Sequence, residues 1–333
     1  MTEHPASTRR PWLAAALAAA LAATVAAALP PQAAAQAFPS KTLSFVIPFA
    51  AGSATDQLGR ALGRSVSEQT GQPVVVENKG GASGQIAAQL VANAAPDGYT
   101  VLITTNTTHA ANEHLYKKLS YDPVKDFAPI TGLGKGGQVL VVRPDAPYGN
   151  VMELVAAAKK APGKLSFGSG SSSSRMAGEM FKQLTETDIL HVPYKSNPNA
   201  LTDLMGGQID FMITDTSTGV PQVRSGKLKA LGVSTTQRNP LLADIPTIAE
   251  AGVDGYDMGY WFAAYAPAGT PPEVVEKLRE VLVKATQDEA AKNFFAGSGS
   301  TAWTTTPEEL AKFQAEEAAK WGRVIRAAGI QPE

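Results

Sequence analysis

The chain has 333 residues, none of them cysteine, and its 29 lysines and arginines against 30 aspartates and glutamates leave a formal net charge of −1. Disulfides, thiolate metal sites and a cysteine nucleophile are therefore excluded. With no basic run longer than Lys117–Lys118 or Lys159–Lys160, a nucleic-acid partner is excluded as well.

Arg9 and Arg10 precede an alanine- and leucine-rich run from Leu13 to Leu29, and Ala35–Gln36–Ala37 supplies an A-x-A cleavage site. Residues 1–37 therefore read as a signal peptide, with the mature chain starting at Phe38. An uncleaved membrane anchor is the weaker reading, because a signal-like site follows the run directly. The arginine pair has a twin-arginine look, but Pro11 leaves the export route open. Beyond this segment no apolar stretch is long enough to span a bilayer.

Ser44–Val46–Ile47 then reads as a strand that Pro48 closes. A small-residue turn, Ala51–Gly52–Ser53–Ala54, leads into the helical spacing Leu58, Ala61, Leu62 and Val66. A strand running through small residues into a helix leaves backbone N–H groups unpaired where the helix dipole favours negative charge. The amides of Gly52, Ser53, Ala54 and Thr55 are thus expected to cradle an anion.

Further strands are expected at Val74–Glu77, Tyr99–Thr104, Val139–Arg143, Leu165–Gly168, Ile209–Thr214 and Leu228–Ser234. Helices are expected near Asp56–Thr70, Ser83–Ala94, Asn150–Ala161, Arg175–Leu184, Asn199–Met205 and Thr218–Ser225. This alternation predicts parallel, helix-covered sheets. Pro271 to Ala291 and Pro307 to Ala328 read as two amphipathic helices with Thr-Pro starts and early glutamates. Ile130 to Arg143 and Tyr256 to Pro267 look like crossings between domains. They would give a discontinuous domain, 38–140 plus 262–333, and an inserted domain, 141–261. Hinged pairs of this kind close around a ligand between them.

The stretches FPSKTLSFVIPFAAGSATD, GQPVVVENKGGASGQIAA, APDGYTVLITTNTTHAANEHLYKKLSYDPVKDFAPI, HVPYKS, LMGGQIDFMI, GKLKALGVSTTQRNPLLADIPTIAEAG and APAGTPPEVVEKL follow one another over nearly all of Phe38 to Glu333. In order and spacing the chain resembles the Bug family, the solute-binding receptors of tripartite tricarboxylate transporters. The resemblance implies a periplasmic binding protein-like fold of type II, with two doubly wound α/β domains joined by a two-strand hinge that close on a small carboxylate. It also implies a periplasmic location, no catalysis, no cofactor or metal, and a partner made of membrane subunits of the transporter; the receptor itself is expected to be a monomer.

Three loops are the expected ligand contacts. The first holds Phe49, Gly52, Ser53, Ala54, Thr55 and Asp56, although Asp56 also suits the first helical turn as a dipole-stabilising charge. The second is Thr104 to Thr108, where Thr104, Asn106 and Thr107 follow a strand end, a common ligand position in α/β sheets. The third runs from Gly168 to Ser174 and offers Ser169, Ser171, Ser172 and Ser173 at a helix start. Arg175, where the family more often has a histidine or a neutral residue, suits either a second carboxylate or the surface. Thr214 and Asp215 form a polar rim in which the family's carboxylate has moved one place, an expected change of face in an extended segment. Tyr194 to Asn197 resembles the family's YKG segment and is expected mainly to cap the next helix. Phe49, Tyr260, Trp261 and Phe262 are expected near the hinge.

Enzyme readings find little support. Gly132 to Gly137 satisfies GxGxxG only as a string, since strand rather than helix follows. His109 and His114 are not on metal-pair spacing, and His191 lies within a strand. The residues thus point to a receptor for a small carboxylate, most simply a dicarboxylate, aliphatic or aromatic. The alternatives are a ligand sensor for a membrane signalling kinase and, last, a secreted serine hydrolase using the 169–174 loop.

Overall fold

Strand β1, Leu43–Ile47, buries Phe45 and Ile47 completely and stops at Pro48. In this computed structural model the described residues are 1–2, 38–327 and 329–332, so the expected cleavage site and the run before it lie outside them. Met1–Ser40 and Lys41–Glu333 are separate units, and the architecture below is that of Lys41–Glu333.

Helix α1, Ala54–Thr70, starts at Ser53, whose hydroxyl accepts the Asp56 amide at 3.3 Å, and ends at the left-handed Gly71. Its stripe of Leu58, Leu62 and Val66 is fully buried. Then come β2 (Val74–Asn78), α2 (Gln85–Ala92) and β3 (Thr100–Thr105), and β1 pairs in parallel with both β2 and β3. A π-helical turn, Thr107–Ala111, runs into the short α3, Asn112–Leu115.

The long strand β4, Phe127–Val142, is followed by α4 (Val151–Lys160), β5 (Ser166–Ser169), α5 (Ser172–Thr185) and β6 (Leu190–Pro193). Next are α6 (Asn197–Met205), β7 (Phe211–Asp215), α7 (Thr216–Arg224) and β8 (Lys229–Val233). The chain returns through β9 (Gly259–Pro267) and ends in α8 (Pro272–Thr286), α9 (Glu289–Ser298), β10 (Thr301–Ala302) and α10 (Pro307–Ala327).

The strand order is β2-β1-β3-β9-β4-β7-β5-β6, with β8 and β10 also on β4. Along β4 the partner changes: Phe127 to Gly137 pair with β9, and Gln138 to Val142 pair with β7. Alternate residues of the second half enter different cores. Leu140 and Val142 join Phe167, Phe211 and Ile213, whereas Val139 and Val141 join Met212, Leu204 and Val220. A strand buried on both faces is the expected spine of an α/β sheet.

The structure corrects several sequence expectations. The sheet is mixed: β9 is antiparallel to β3 and β4, and β4 is antiparallel to β7 and β8. Strand β4 also begins well before Val139, because its glycines hide the strand pattern. Those glycines make room for aromatic rings. A Cβ on Gly132 would lie 2.5 Å from the Trp303 ring, on Gly134 2.6 Å from Phe295, and on Gly136 2.4 Å from the Tyr260 hydroxyl. The expected helix Pro271 to Ala291 is broken at Asp288, whose carboxylate accepts a hydrogen bond from Ser65 of α1 and which opens α9. Among the described residues no helix is long and apolar enough to cross a membrane.

Candidate functional site

The loops after β1, β3, β5, β6 and β7 meet around a narrow, partly open cavity of ≈ 10 Å³, room for about one water molecule. One wall is apolar: Phe49, Tyr260 and Phe262, the last two with ring centroids 5.0 Å apart. The rest consists of helix starts. Ser53 caps α1, which Ala54 and Thr55 open; Ser171 caps α5, which holds Ser173; Asn197 opens α6; and Asp215 ends β7 at the cap position of α7, with Thr105 and Gly170 between them. Each helix N-terminus carries unpaired amides and about half a positive charge. Several helix starts grouped around one cavity can hold an anion without a basic side chain. Among the described lining residues there is no lysine, arginine or histidine.

The first loop supplies fewer donors than the sequence suggests. Gly52 N–H donates to Asp56 Oδ2 at 2.9 Å and Ser53 N–H to Ala50 O at 3.1 Å. The cradle therefore narrows to Ala54 and Thr55, the first two residues of α1, which have no carbonyl one turn back within their own helix. Asp56 is turned away from the cavity. It accepts from Asn78 at 2.9 Å and from Arg60 through both carboxylate oxygens, at 3.1 and 3.0 Å.

Burial raises the Asp56 carboxyl, but the hydrogen bonds from Arg60, Gly52 and Asn78 outweigh it and hold it below the usual aspartate value. A depressed value stabilises the fold above the unfolded aspartate range and is lost as pH falls through the folded one. Asp56→Asn is expected to cost about 1–3 kcal/mol at pH 7. In urea titrations the gap from the unsubstituted protein should close below about pH 4.

In the second loop, Thr104 to Thr108, the strand phase brings Thr105 to the cavity in place of the expected Thr104, Asn106 and Thr107. Thr104 turns to Thr108, with hydroxyl oxygens 2.6 Å apart. Asn106 and Thr107 instead meet the third loop: Ser173 Oγ donates to Asn106 Oδ1 at 3.1 Å and lies 3.1 Å from Thr107 Oγ1. Ser172 Oγ likewise donates to Asn112 Oδ1 at 2.7 Å. Ser172 thus bridges segments instead of lining the cavity, while Ser173 does both.

Ser169 and Arg175 face elsewhere. They line a neighbouring pocket of ≈ 230 Å³ with Tyr116, His191 and Tyr194, and Ser169 Oγ is 2.7 Å from His191 Nε2. Gly52 borders a groove on the other side, next to Pro198 and Ser217. His109 is not a site residue: it is buried and stacked on Tyr265 at 3.8 Å, and burial pushes it down to about 3, so it stays neutral. Trp261 points away from Tyr260 and Phe262, as strand alternation demands, and its indole N–H donates to Glu317 at 3.2 Å.

Asn197, expected only to help cap a helix, is the hub of the polar wall. Its Oδ1 accepts from Gly170 N–H and from Ser174 Oγ, each at 3.0 Å, which leaves Nδ2 to donate to Asp215 Oδ2 at 2.8 Å. Gly170 makes this possible. A Cβ there would lie 1.8 Å from the Ser196 carbonyl carbon, so only glycine lets the β5–α5 turn touch the start of α6. Asp215 faces the cavity while Thr214, one residue earlier, bonds Thr218 at 3.0 Å. Asp215 is only partly covered at its surface, where it opens on the cavity, yet it is surrounded by protein on the longer scale that desolvates a charge. That burial pushes its carboxyl up to about 6, against the downward pull of Asn197. Among the described residues no group of histidines and carboxylates is placed to hold a metal ion.

Residues 58–330 match the model of the family described as "Tripartite tricarboxylate transporter family receptor". The chain belongs to this family. Its members are solute-binding receptors, which are not an enzyme class. The solved structure of Rpa4515 from Rhodopseudomonas palustris with adipate is 34% identical, with a TM-score of 0.86, covering 89% of this chain and 100% of that one. The periplasmic binding protein BugD is also 34% identical, with a TM-score of 0.85 and coverage of 89% and 100%. MatC from Rhodopseudomonas palustris, with bound malate, is 32% identical, with a TM-score of 0.82 and coverage of 86% and 100%. The Bug-type receptor and the periplasmic-binding-protein fold expected from the sequence are both correct.

Proposed function

We propose that this receptor captures a small dicarboxylate in the cavity between 38–140 plus 262–333 and 141–261, and delivers it to the membrane subunits of a tripartite transporter. The observation that carries this reading is the convergence of the starts of α1, α5, α6 and α7 on one cavity with an aromatic wall and, among the described lining residues, no basic side chain. Helix starts suit carboxylate ends, and Phe49, Tyr260 and Phe262 suit an apolar middle. Adipate and malate, bound by the related proteins, are both dicarboxylates.

A cavity of ≈ 10 Å³ has room for about one water molecule, so on this reading a dicarboxylate enters by the two halves parting and closing again. The Ser172–Asn112, Ser173–Asn106 and Ser173–Thr107 hydrogen bonds are the contacts that break and re-form. The change of partners on β4 at Gly137 to Gln138 supports a hinge there. Export through a leader cleaved near Ala37 would place the mature receptor in the periplasm, alongside its relative BugD.

The test is a thermal-shift and calorimetric screen of mono-, di- and tricarboxylates, aliphatic and aromatic. The expected result is the largest stabilisation by a dicarboxylate, without turnover. Preferential stabilisation by amines or neutral sugars would overturn the reading.

A further inference from the structure

A carboxyl group in the wall of an anion-binding cavity has to be neutralised when the ligand arrives. Asp215 is that group, and among the described residues lining the cavity there is no cation beside it. Asn197 of α6 donates to Oδ2 at 2.8 Å, Gln138 of β4 lies opposite it in register, and Tyr260 of β9 faces it as a phenol that burial keeps neutral. Ser53 and Thr55 of α1 and Ser171 and Ser173 of α5 add only hydroxyls around the cavity. Asp215 stands at the cap position of α7 without a side-chain cap bond, and its own backbone N–H together with the start of α7 favours the charged form, but burial outweighs them. Two carboxylates enclosed in one water-poor site do not both stay ionised.

We propose that the ligand carboxylate is bound together with one proton, shared with Asp215 as an acid–carboxylate hydrogen bond. This rests on the receptor reading above and adds a rule to it: the site selects ligands whose carboxylate can accept from a neutral acid. Asn197 holds Oδ2 as an acceptor, so the other oxygen carries the proton, which comes from solvent. Burial raises Asp215 to about 6, which leaves it mostly ionised at neutral pH in the empty site, and a ligand anion at contact raises it further.

Binding then takes up a proton. Between about pH 6 and 8 the ligand's own carboxyls remain ionised, so affinity should fall roughly tenfold for each pH unit gained. Below about pH 6 it should level off.

The experiment is titration calorimetry on the mature chain at pH 5.5–8, in buffers of different ionisation enthalpy. The probes are adipate, malate and whichever acid in the screen binds most tightly. The expected results are uptake of close to one proton at neutral pH, and in Asp215→Asn an affinity that no longer depends on pH. The same variant, by removing a buried carboxyl with a raised value, should unfold at a higher temperature at pH 8, so a failure to bind cannot be mistaken for misfolding. A pH-independent affinity in the unsubstituted protein would overturn the proposal, as would an Asp215→Asn variant that keeps the slope. Tighter binding of aspartate as pH rises would show Asp215 ionised against an ammonium group, and would overturn it too. Absence of binding by every acid at every pH would remove the receptor reading and this inference with it.

Discussion

Ser53→Phe is expected to abolish dicarboxylate binding while leaving a folded protein. Ser53 is almost fully buried, lines the cavity and caps α1. The narrow space of ≈ 10 Å³ has no room for a phenyl ring. The ring must either fill the ligand's place beside the Ala54 and Thr55 amides or hold the two halves apart. The lost cap costs about 1 kcal/mol and overpacking at this buried position about 1–3 kcal/mol more, so urea unfolding of the variant is read beside its binding. Ser53→Ala separates the two effects: the same cap cost, with affinity changed by less than about tenfold, or 1.4 kcal/mol. Calorimetry and urea unfolding on both variants make the test. A phenylalanine variant that binds as tightly as the parent would remove the start of α1 from the site.

Gly170→Ala is expected to damage both stability and binding, although it adds one methyl group. Its Cβ would sit 1.8 Å from Ser196 C and 2.2 Å from Asn197 N, both backbone atoms that cannot rotate away. Overpacking of this kind costs about 1–3 kcal/mol or more. The turn that moves also carries the Gly170 N–H bond to Asn197, and Asn197 in turn holds Asp215. Affinity should therefore drop by at least about tenfold, as expected where a positioned hydrogen-bonding group is displaced. Urea unfolding read beside calorimetry checks both halves. Unchanged stability together with unchanged affinity would mean that the contact between these two turns does not organise the cavity.

Legibility from sequence followed how local each feature is. The β1–turn–α1 unit could be read directly, since Pro48, Ser53 and the Leu58–Leu62–Val66 stripe act within one turn or one strand of themselves. The serine-rich helix start was equally visible, and so was the strand character of Gln138 to Val142. The N-terminal half of β4 was not, because its glycines answer to Trp303, Phe295 and Tyr260, residues far along the chain. Among loop residues the errors were of phase and of partner. Thr105 replaced Thr104 because side chains alternate along a strand. Asp56 was claimed by Arg60, a helical i,i+4 partner that spacing does announce, and by Asn78, and Ser172 by Asn112, through contacts that it does not.

What the sequence by itself determined was the family, the α/β class and the presence of helix starts rich in small and hydroxyl residues. These are written in short-range order: apolar periodicity, caps, proline stops and an ordered series of motifs. What only the tertiary structure decided was which of those groups share a cavity. Asn197, Tyr260 and Phe262 enter the site because Gly170 lets two turns touch and Gly136 leaves space for a ring. Asp215 becomes a desolvated acid, with no cation beside it among the described lining residues, because of what β4, α6 and β9 place around it. Burial and the identity of a non-local partner are properties of packing, and they set the charge of this site.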